Sequence, residues 1–447
     1  MKKFLLFLIF LTGCRPSNLI PSLQIQEESI EYIQEPVIPN IELLDTINEG
    51  LASGPVFIEI RFLRTMLLEP NGDLWAWGDN ISGALGDGSL IDRFSPVKIM
   101  ENVYHISASN SHSIAITKDN RLYTWGTNRV GQLGIGLDIA RVNEPIFVMD
   151  NIRHALAIDE FTVAITNDDI LFAWGYNVHG QLGDGTTTNR NKPIKILENV
   201  RSVNAYRLTN PNNGNFGHGT FAITNDNILY AWGFNEYGHL GLSHYENIYS
   251  PVILKHNVLD FFPVQEDTVV TNVLRALTTD YRLYSWGFNN FGQIGDGTNN
   301  NSNTPIFIMD NVRFAEGRGA ITRDNHLYTW GRNDFGQLGD GTFYHRNYPE
   351  KIMENVVELN NRGAITEDKT FWVWGNNNIG QLGDTTTVNR NIPIPFMENI
   401  HYIGTGFNRT FAVTKDGSLW VWGNGPLGQL GIGYAGFLDS PRKIYLR

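Results

Sequence analysis

The sequence predicts an all-β chain folded as a β-propeller, eight blades being favoured over seven, and three observations carry that prediction. A Trp-Gly pair recurs at Trp77, Trp125, Trp174, Trp232, Trp286, Trp330, Trp374 and Trp422, at steps of 48, 49, 58, 54, 44, 44 and 48 residues. Two glycines keep offsets of six and nine residues from every one of those tryptophans, from Gly83 and Gly86 to Gly428 and Gly431. The chain of 447 residues is rich in glycine (45) and low in charge (18%), which suits many short strands joined by turns. A unit of three or four short strands cannot bury both of its faces alone, so units stack, and a shut ring protects the edges an open stack would leave bare. A β-solenoid is the runner-up.

The N-terminal residues stand apart from the repeats. Met1-Lys2-Lys3 is a basic leader, Phe4 to Leu11 an apolar run of eight, and Leu11-Thr12-Gly13-Cys14 follows with the chain's one cysteine. The run is too short for a permanent membrane helix and reads as a targeting segment. The tetrapeptide resembles the lipobox of bacterial lipoproteins. That resemblance implies cleavage after residue 13, diacylglycerol on the Cys14 thiol and an acylated amine, enough acyl chain for a stable anchor. It places the protein in a bacterial cell envelope, with the outer membrane favoured where there is one, since Arg15 rather than aspartate follows the cysteine. Residues 14–54 read as an acidic tether. Glu27, Glu28, Glu31, Glu35, Glu42, Asp45 and Glu49 stand against Arg15, and Pro16, Pro21, Pro36 and Pro39 interrupt helices.

From 55 to 447 each unit reads the same way. Ile114-Ala115-Ile116-Thr117 and Leu122-Tyr123-Thr124-Trp125 are strand candidates around the turn Lys118-Asp119-Asn120. The glycines then allow turn dihedrals or close backbone approach. A proline follows 19 or 20 residues after each tryptophan, and a further apolar strand such as Ile194 to Leu197 comes after it. The ends are expected to meet through a blade that pairs strands from both termini. One copy, Leu171-Phe172-Ala173-Trp174-Gly175-Tyr176-Asn177-Val178-His179-Gly180-Gln181-Leu182-Gly183-Asp184-Gly185-Thr186, closely resembles the repeat of the regulator of chromosome condensation (RCC1) family. The family's usual form has seven blades; here the first and last units are both well formed, which favours eight. The rival is seven blades with a terminal unit split or packed outside.

Residues needed once per blade read as packing residues, the tryptophans foremost. Asp87, Asp184, Asp296, Asp340 and Asp384 lack the dense oxygen pattern of a calcium loop and read as turn formers. Arg93, Arg141, Arg190, Arg346 and Arg390 are expected to pair with them or brace the next blade. Variation is the better guide to function. The segment between the second glycine and the proline carries Tyr245, Tyr249, Phe343, Tyr344, Tyr434 and Phe437, aromatics of the kind that anchor protein interfaces, and these are the candidate partner-binding residues. Two insertions, Leu208 to Gly219 and Asn257 to Thr271, are expected to build a ridge or lid.

Several classes are set aside. A net charge of −12 opposes general nucleic-acid binding. No phosphate loop with its lysine and no His-Glu-x-x-His motif is present, and the eleven histidines read as isolated surface or turn residues, so no metal, cofactor or catalytic residue is assigned. The family includes an exchange factor for a nuclear GTPase that binds chromatin. Export implied by the lipobox removes both partners, so neither is carried over. The sequence therefore reads as a membrane-anchored, extracytoplasmic, non-enzymatic propeller that recognises a protein or peptide. An envelope scaffold is the alternative, followed by a hydrolytic or carbohydrate-active enzyme with a central pocket.

Overall fold

The computed structural model describes residues 57–61, 63–209, 216–266, 269–406 and 408–446. The leader, Cys14 and the tether of residues 14–54 lie outside them. The described strands form eight antiparallel sheets of four strands each, and every sheet is contiguous in sequence. The first blade consists of β1 (Phe57–Ile60), β2 (Arg64–Leu68), β3 (Leu74–Gly78) and β4 (Arg93–Met100). The other seven repeat that order over 103–149, 152–197, 200–255, 258–309, 312–353, 356–397 and 400–444.

First strands touch the first strands of neighbouring blades and lie innermost. Fourth strands alternate between half-buried and exposed positions and form the outer rim. The repeated prolines sit inside these outer strands, which begin before the proline, as Arg190–Leu197 begins ahead of Pro193. An outer edge is where a strand can carry a residue without an N–H, and proline there also blocks pairing with another chain.

Eight blades close the ring, and they close it without exchanging a strand. The first and last blades are each complete, so the expected blade of mixed termini does not form. The repeat begins at the innermost strand and ends at the outermost, which leaves no strand to lend. Closure instead uses the contact found between every other pair of blades. The indole N–H of each repeated tryptophan donates to the backbone carbonyl seven residues past the tryptophan of the preceding blade. Trp125 reaches Ala84 O at 3.0 Å, Trp174 reaches Gln132 O at 3.0 Å, and Trp77 reaches Gln429 O of the last blade at 2.8 Å. Trp232, Trp286, Trp330, Trp374 and Trp422 do the same onto residues 181, 239, 293, 337 and 381.

The second repeated glycine makes room for that indole. A β-carbon on Gly86 would lie 2.6 Å from Trp125 Nε1, and one on Gly431 would lie 2.8 Å from Trp77 Nε1; their φ angles are +85° and +70°. Both the close approach and the left-handed backbone call for glycine. A parallel set of backbone bonds joins the rim, running from Gly88 N to Asn143 O and, across the join, from Gly433 N to Phe94 O at 2.8 Å. A burial-driven core thus lies between blades, with seven of the eight tryptophans fully inaccessible.

Candidate interaction face

Antiparallel order puts the loop between first and second strands and the glycine-rich loop between third and fourth strands on one face of the ring. The hairpin turns between second and third strands, and the links to the next blade, lie on the other. The loop face is uneven. In the fourth and fifth blades the inner pair is long, Val200–Thr209 with Phe216–Thr224 and Val258–Glu266 with Val269–Thr278. In the sixth and seventh it shrinks to Val312–Glu316 with Gly319–Thr322 and Val356–Asn360 with Gly363–Thr366. The two insertions therefore raise neighbouring hairpins, and the two 44-residue steps are trimmed ones beside them.

The glycine-rich loops are built alike. In the sixth blade Asn333 Oδ1 accepts from Leu338 N at 2.9 Å, while Nδ2 donates to Asp340 Oδ1 and to the carbonyls of Thr342 and Tyr344 at 3.0–3.1 Å. Asp340 also accepts from Thr342 N and from Arg346 Nε at 3.0 and 2.7 Å. Burial pushes its carboxyl up, but the bonds from Thr342 and Arg346 outweigh that and hold it below the usual carboxylate range. Asp87 with Arg93, Asp184 with Arg190, and Asp384 with Arg390 repeat the pair. The repeated aspartates thus hold loops and arginines. Asparagine fills the same role in the first seven blades, and the eighth has Gly425 instead.

On that fixed backbone Phe343 and Tyr344 are half and three-quarters exposed. Tyr245 and Tyr434 are exposed in the corresponding loops of the fourth and eighth blades, Tyr434 accepting from Arg442 Nη1 at 2.6 Å. Tyr249 and Phe437 lie on outer strands rather than in loops. Each packs over the first repeated glycine of the preceding blade, Tyr249 on Gly180 and Phe437 on Gly380, and keeps about half its surface open. The six aromatics do not meet in one patch. They are spread over alternate blades, and Val388, Ile392, Leu90 and Ile91 add exposed apolar surface in the seventh and first blades.

Arginines gather near the inner loops of this face. Arg64 donates to the carbonyls of Ser109 and His112 in the next blade, Arg275 to Gly317 O and Gly319 O at 2.9 and 3.1 Å, Arg362 to Gly406 O, and Arg409 to Arg61 O and Arg64 O. Between the sixth and seventh blades a cleft is lined by Arg318, Arg362, Asn361, Phe335, Gln337 and Trp374. Trp374 is 5% exposed, whereas its seven counterparts are at 0%.

The histidines depart from the surface reading. His105, His112, His218 and His239 are buried, and His154 is half-buried. His112 donates or accepts at Thr162 Oγ1 (2.8 Å) and Ser109 Oγ (2.9 Å), and burial pushes it down to about 3. His218 bonds Asp159 Oδ2 at 2.8 Å across the third and fourth blades. His105, through Ala155 O, His112 and His218 are interblade polar links. Sequence spacing could not reveal them, because each partner lies about one blade away. Glu59, Glu316 and Glu358 on first strands were equally silent in sequence. Burial pushes Glu316 up to about 8, with Glu358 adding to it, and burial pushes Glu358 up to about 7 against the pull of Lys369. Among the described residues no group of three or more His, Cys, Asp or Glu is arranged to hold a metal ion.

Family comparisons agree with this geometry. The model of the regulator of chromosome condensation (RCC1) repeat matches residues 71–116, 119–165, 168–205, 226–264, 280–316 and 324–359, and a second model of the same repeat matches 103–132 and 400–429. Each of the six longer matches starts at or near the turn before a third strand and runs into the next blade, so it spans one tryptophan and one interblade contact. The ultraviolet-B receptor UVR8 of Arabidopsis thaliana is 33% identical over 238 residues, 52% of each chain. The human E3 ubiquitin-protein ligase HERC2 is 27% identical over 251 residues, 54% of this chain and 4% of the ligase. The chain thus spans about half the length of the receptor and a small part of the ligase. Among solved structures, human WBSCR16 superposes with a TM-score of 0.54 at 19% identity, covering 84% of this chain and 94% of that one. Prp20p of Saccharomyces cerevisiae, described with its binding properties to Gsp1p and histones, gives 0.53 at 18% identity over 92% and 90%. These likenesses show the fold. With its repeat matched over more than half of the sequence and eight blades clasped by the repeated tryptophan, this chain belongs to the regulator of chromosome condensation (RCC1) repeat family.

Proposed function

We propose that this protein is a lipid-anchored, extracytoplasmic recognition protein without catalytic activity, whose propeller offers its loop face to a protein partner. One observation carries the reading: the loop face is uneven, with raised hairpins on the fourth and fifth blades beside trimmed ones on the sixth and seventh, and exposed aromatics stand on hydrogen-bonded loops. Rigid backbone under exposed Phe343 and Tyr344 lowers the ordering cost of binding. Protein binding by Prp20p supports recognition as the use of such a propeller, while Gsp1p and histones themselves are not proposed as partners here. The anchor rests on Leu11-Thr12-Gly13-Cys14, and the tether on the acidic, proline-interrupted stretch after it. The test is recovery of a partner from envelope membranes with the full chain, compared with a Phe343→Ser/Tyr344→Ser variant. The reading expects one protein retained by the parent and lost from the variant, with equal thermal stability of the two. Equal recovery contradicts it.

A second reading is favoured by one observation. Glu316 and Glu358 lie on adjacent inner strands and titrate near neutrality, a property useful to a general acid and base. On this reading the axial region hydrolyses a glycan or related substrate, and Glu316→Gln abolishes turnover while leaving partner recovery unchanged. No turnover by the parent on envelope glycans removes this reading.

A further inference from the structure

Every interface of the ring carries the tryptophan clasp, but the bonds that reinforce it differ. Twelve residues before the tryptophan, five blades carry a hydroxyl: Thr65, Ser113, Thr162, Thr220 and Thr410. Each donates to the carbonyl that also receives the indole N–H of its blade. The fifth, sixth and seventh blades have Leu274, Arg318 and Arg362 there. Between the fourth and fifth blades Phe261 stacks on Phe221 at 4.4 Å instead. Between the fifth and sixth, Arg275 reaches Gly317 O and Gly319 O and lies over the Trp330 ring. Between the sixth and seventh, the Arg362 guanidinium turns to the far side, to Gly406 O of the eighth blade. This interface is held at the opposite face, where Arg313 donates to Val356 O and Val357 O at 3.0 and 3.1 Å.

The loop-face end of the same interface has trimmed inner pairs on both sides, and Trp374 keeps some exposure where its counterparts have none. Two carboxyls stand on its facing first strands, Glu316 on Val312–Glu316 and Glu358 on Val356–Asn360. Neither makes a hydrogen bond or an ion pair with another described residue. Burial first and Glu358 second hold Glu316 protonated up to about 8, and Arg318 on the following turn does not offset them. Burial holds Glu358 up to about 7 against the pull of Lys369. The other titratable groups on neighbouring inner strands do not neutralise the pair. Glu59 is taken by Arg61 and Ala108 N, and Asp260 accepts from Phe261 N. Burial and Lys369 push His401 down, while burial and the three glutamates push Tyr402 up, so both are neutral. Ionised together, Glu316 and Glu358 repel across the interface.

We propose that the interface between the sixth and seventh blades is a proton-controlled gate. It opens at the loop face, hinging where Arg313 holds the seventh blade, and protonation of Glu316 and Glu358 keeps it shut. An open gate returns both carboxyls to water and to an ordinary 4.5. Between that value and about 7 and about 8 the closed form therefore holds more protons, and it loses ground as pH rises. Opening separates Tyr344 from Val388, exposed residues that occupy the same place on the loops of the two blades, fourteen past the tryptophan. The gate itself does not require the recognition reading above; its effect on a partner rests on it.

The experiment reads hydrogen exchange of the indole N–H groups by NMR, in the full chain in detergent with isotope-labelled tryptophan. The Trp374 signal is assigned with Trp374→Phe. Comparing the repeated indoles with one another at each pH cancels the pH dependence that exchange has of its own. Relative to Trp77, Trp125, Trp174 and Trp232, exchange at Trp374 is expected to rise about tenfold or more between about pH 5 and about pH 7.5. A carboxyl protonated in the closed gate and freed in the open one adds up to about tenfold per pH unit. Glu316→Gln/Glu358→Gln is expected to hold the ratio flat. Glu358→Gln alone is expected to reduce the rise, because Glu316 loses its charged neighbour. A ratio that does not change with pH in the parent, a rise shared equally by all eight indoles, or an undiminished rise in both variants overturns the proposal. The titration needs no partner, so its failure is separable from that of face recognition, which is read by recovery through Phe343 and Tyr344.

Discussion

Trp77 in the first blade donates its indole N–H to the carbonyl of Gln429 in the last, 2.8 Å away, and so joins residues 352 positions apart with the bond that joins every other pair of blades. A ring that closes this way has no weaker latch of borrowed strands. The join is expected to be as resistant to opening as any other interface.

Gly431→Ala tests that directly. The new methyl group meets the Trp77 indole at 2.8 Å and the backbone stays left-handed, so a cost of about 2–4 kcal/mol is expected from overpacking and strain together. Gly297→Ala is the control, since its β-carbon would meet nothing within 4 Å and only the backbone strain at φ +85° remains, about 1–2 kcal/mol. Denaturant unfolding should rank the two in that order.

Asn333→Ala removes from the loop that carries Phe343 and Tyr344 the acceptor of Leu338 N and an amide whose two hydrogens are shared among Asp340, Thr342 and Tyr344. A loss of about 1–3 kcal/mol is expected, because buried loop groups are left unpaired. Hydrogen exchange should speed up at Leu338, whose N–H bonds Asn333, while the Trp330 clasp stays protected.

Stability should fall as pH rises on account of two carboxyls. Glu316 and Glu358 have folded values raised to about 8 and about 7 from an ordinary 4.5, so between those limits the folded state holds more protons than the unfolded one. Unfolding free energy then declines with pH across that window. A Glu316→Gln/Glu358→Gln variant, which imitates the protonated form, is expected to match the parent's melting temperature near pH 4 and exceed it at pH 8.5.

Cys14→Ser is expected to abolish incorporation of labelled palmitate and release the chain from the membrane fraction. A labelled Cys14→Ser variant contradicts the anchor.

Much of this architecture was legible because it is local and repeated. Trp125, Gly131 and Gly134 announce a unit through fixed spacing, and the steps of 58, 54, 44 and 44 residues announce which hairpins are raised or trimmed. The mode of closure was not legible, since spacing gives the period of a repeat and not the strand at which a blade begins. Tyr249 looked like a loop residue because the outer strand starts before Pro251, at Ile248. The cleft was missed for a related reason. Arg318 and Arg362 depart from a Thr or Ser pattern that becomes visible only once Thr65 or Thr162 is seen bonding the clasp carbonyl of another blade. Buried groups such as His218 and Glu316 depend on neighbours one blade away, which a linear reading does not supply.

Site-specific photocrosslinking in living cells tests the account's central claim most directly. A benzophenone side chain is placed at Tyr344 on the loop face and, in a second strain, at exposed Glu398 on the opposite face. The account predicts an adduct to one envelope protein from position 344 and none from position 398. An adduct to that protein from position 398 with none from position 344, or no adduct from either, would contradict it.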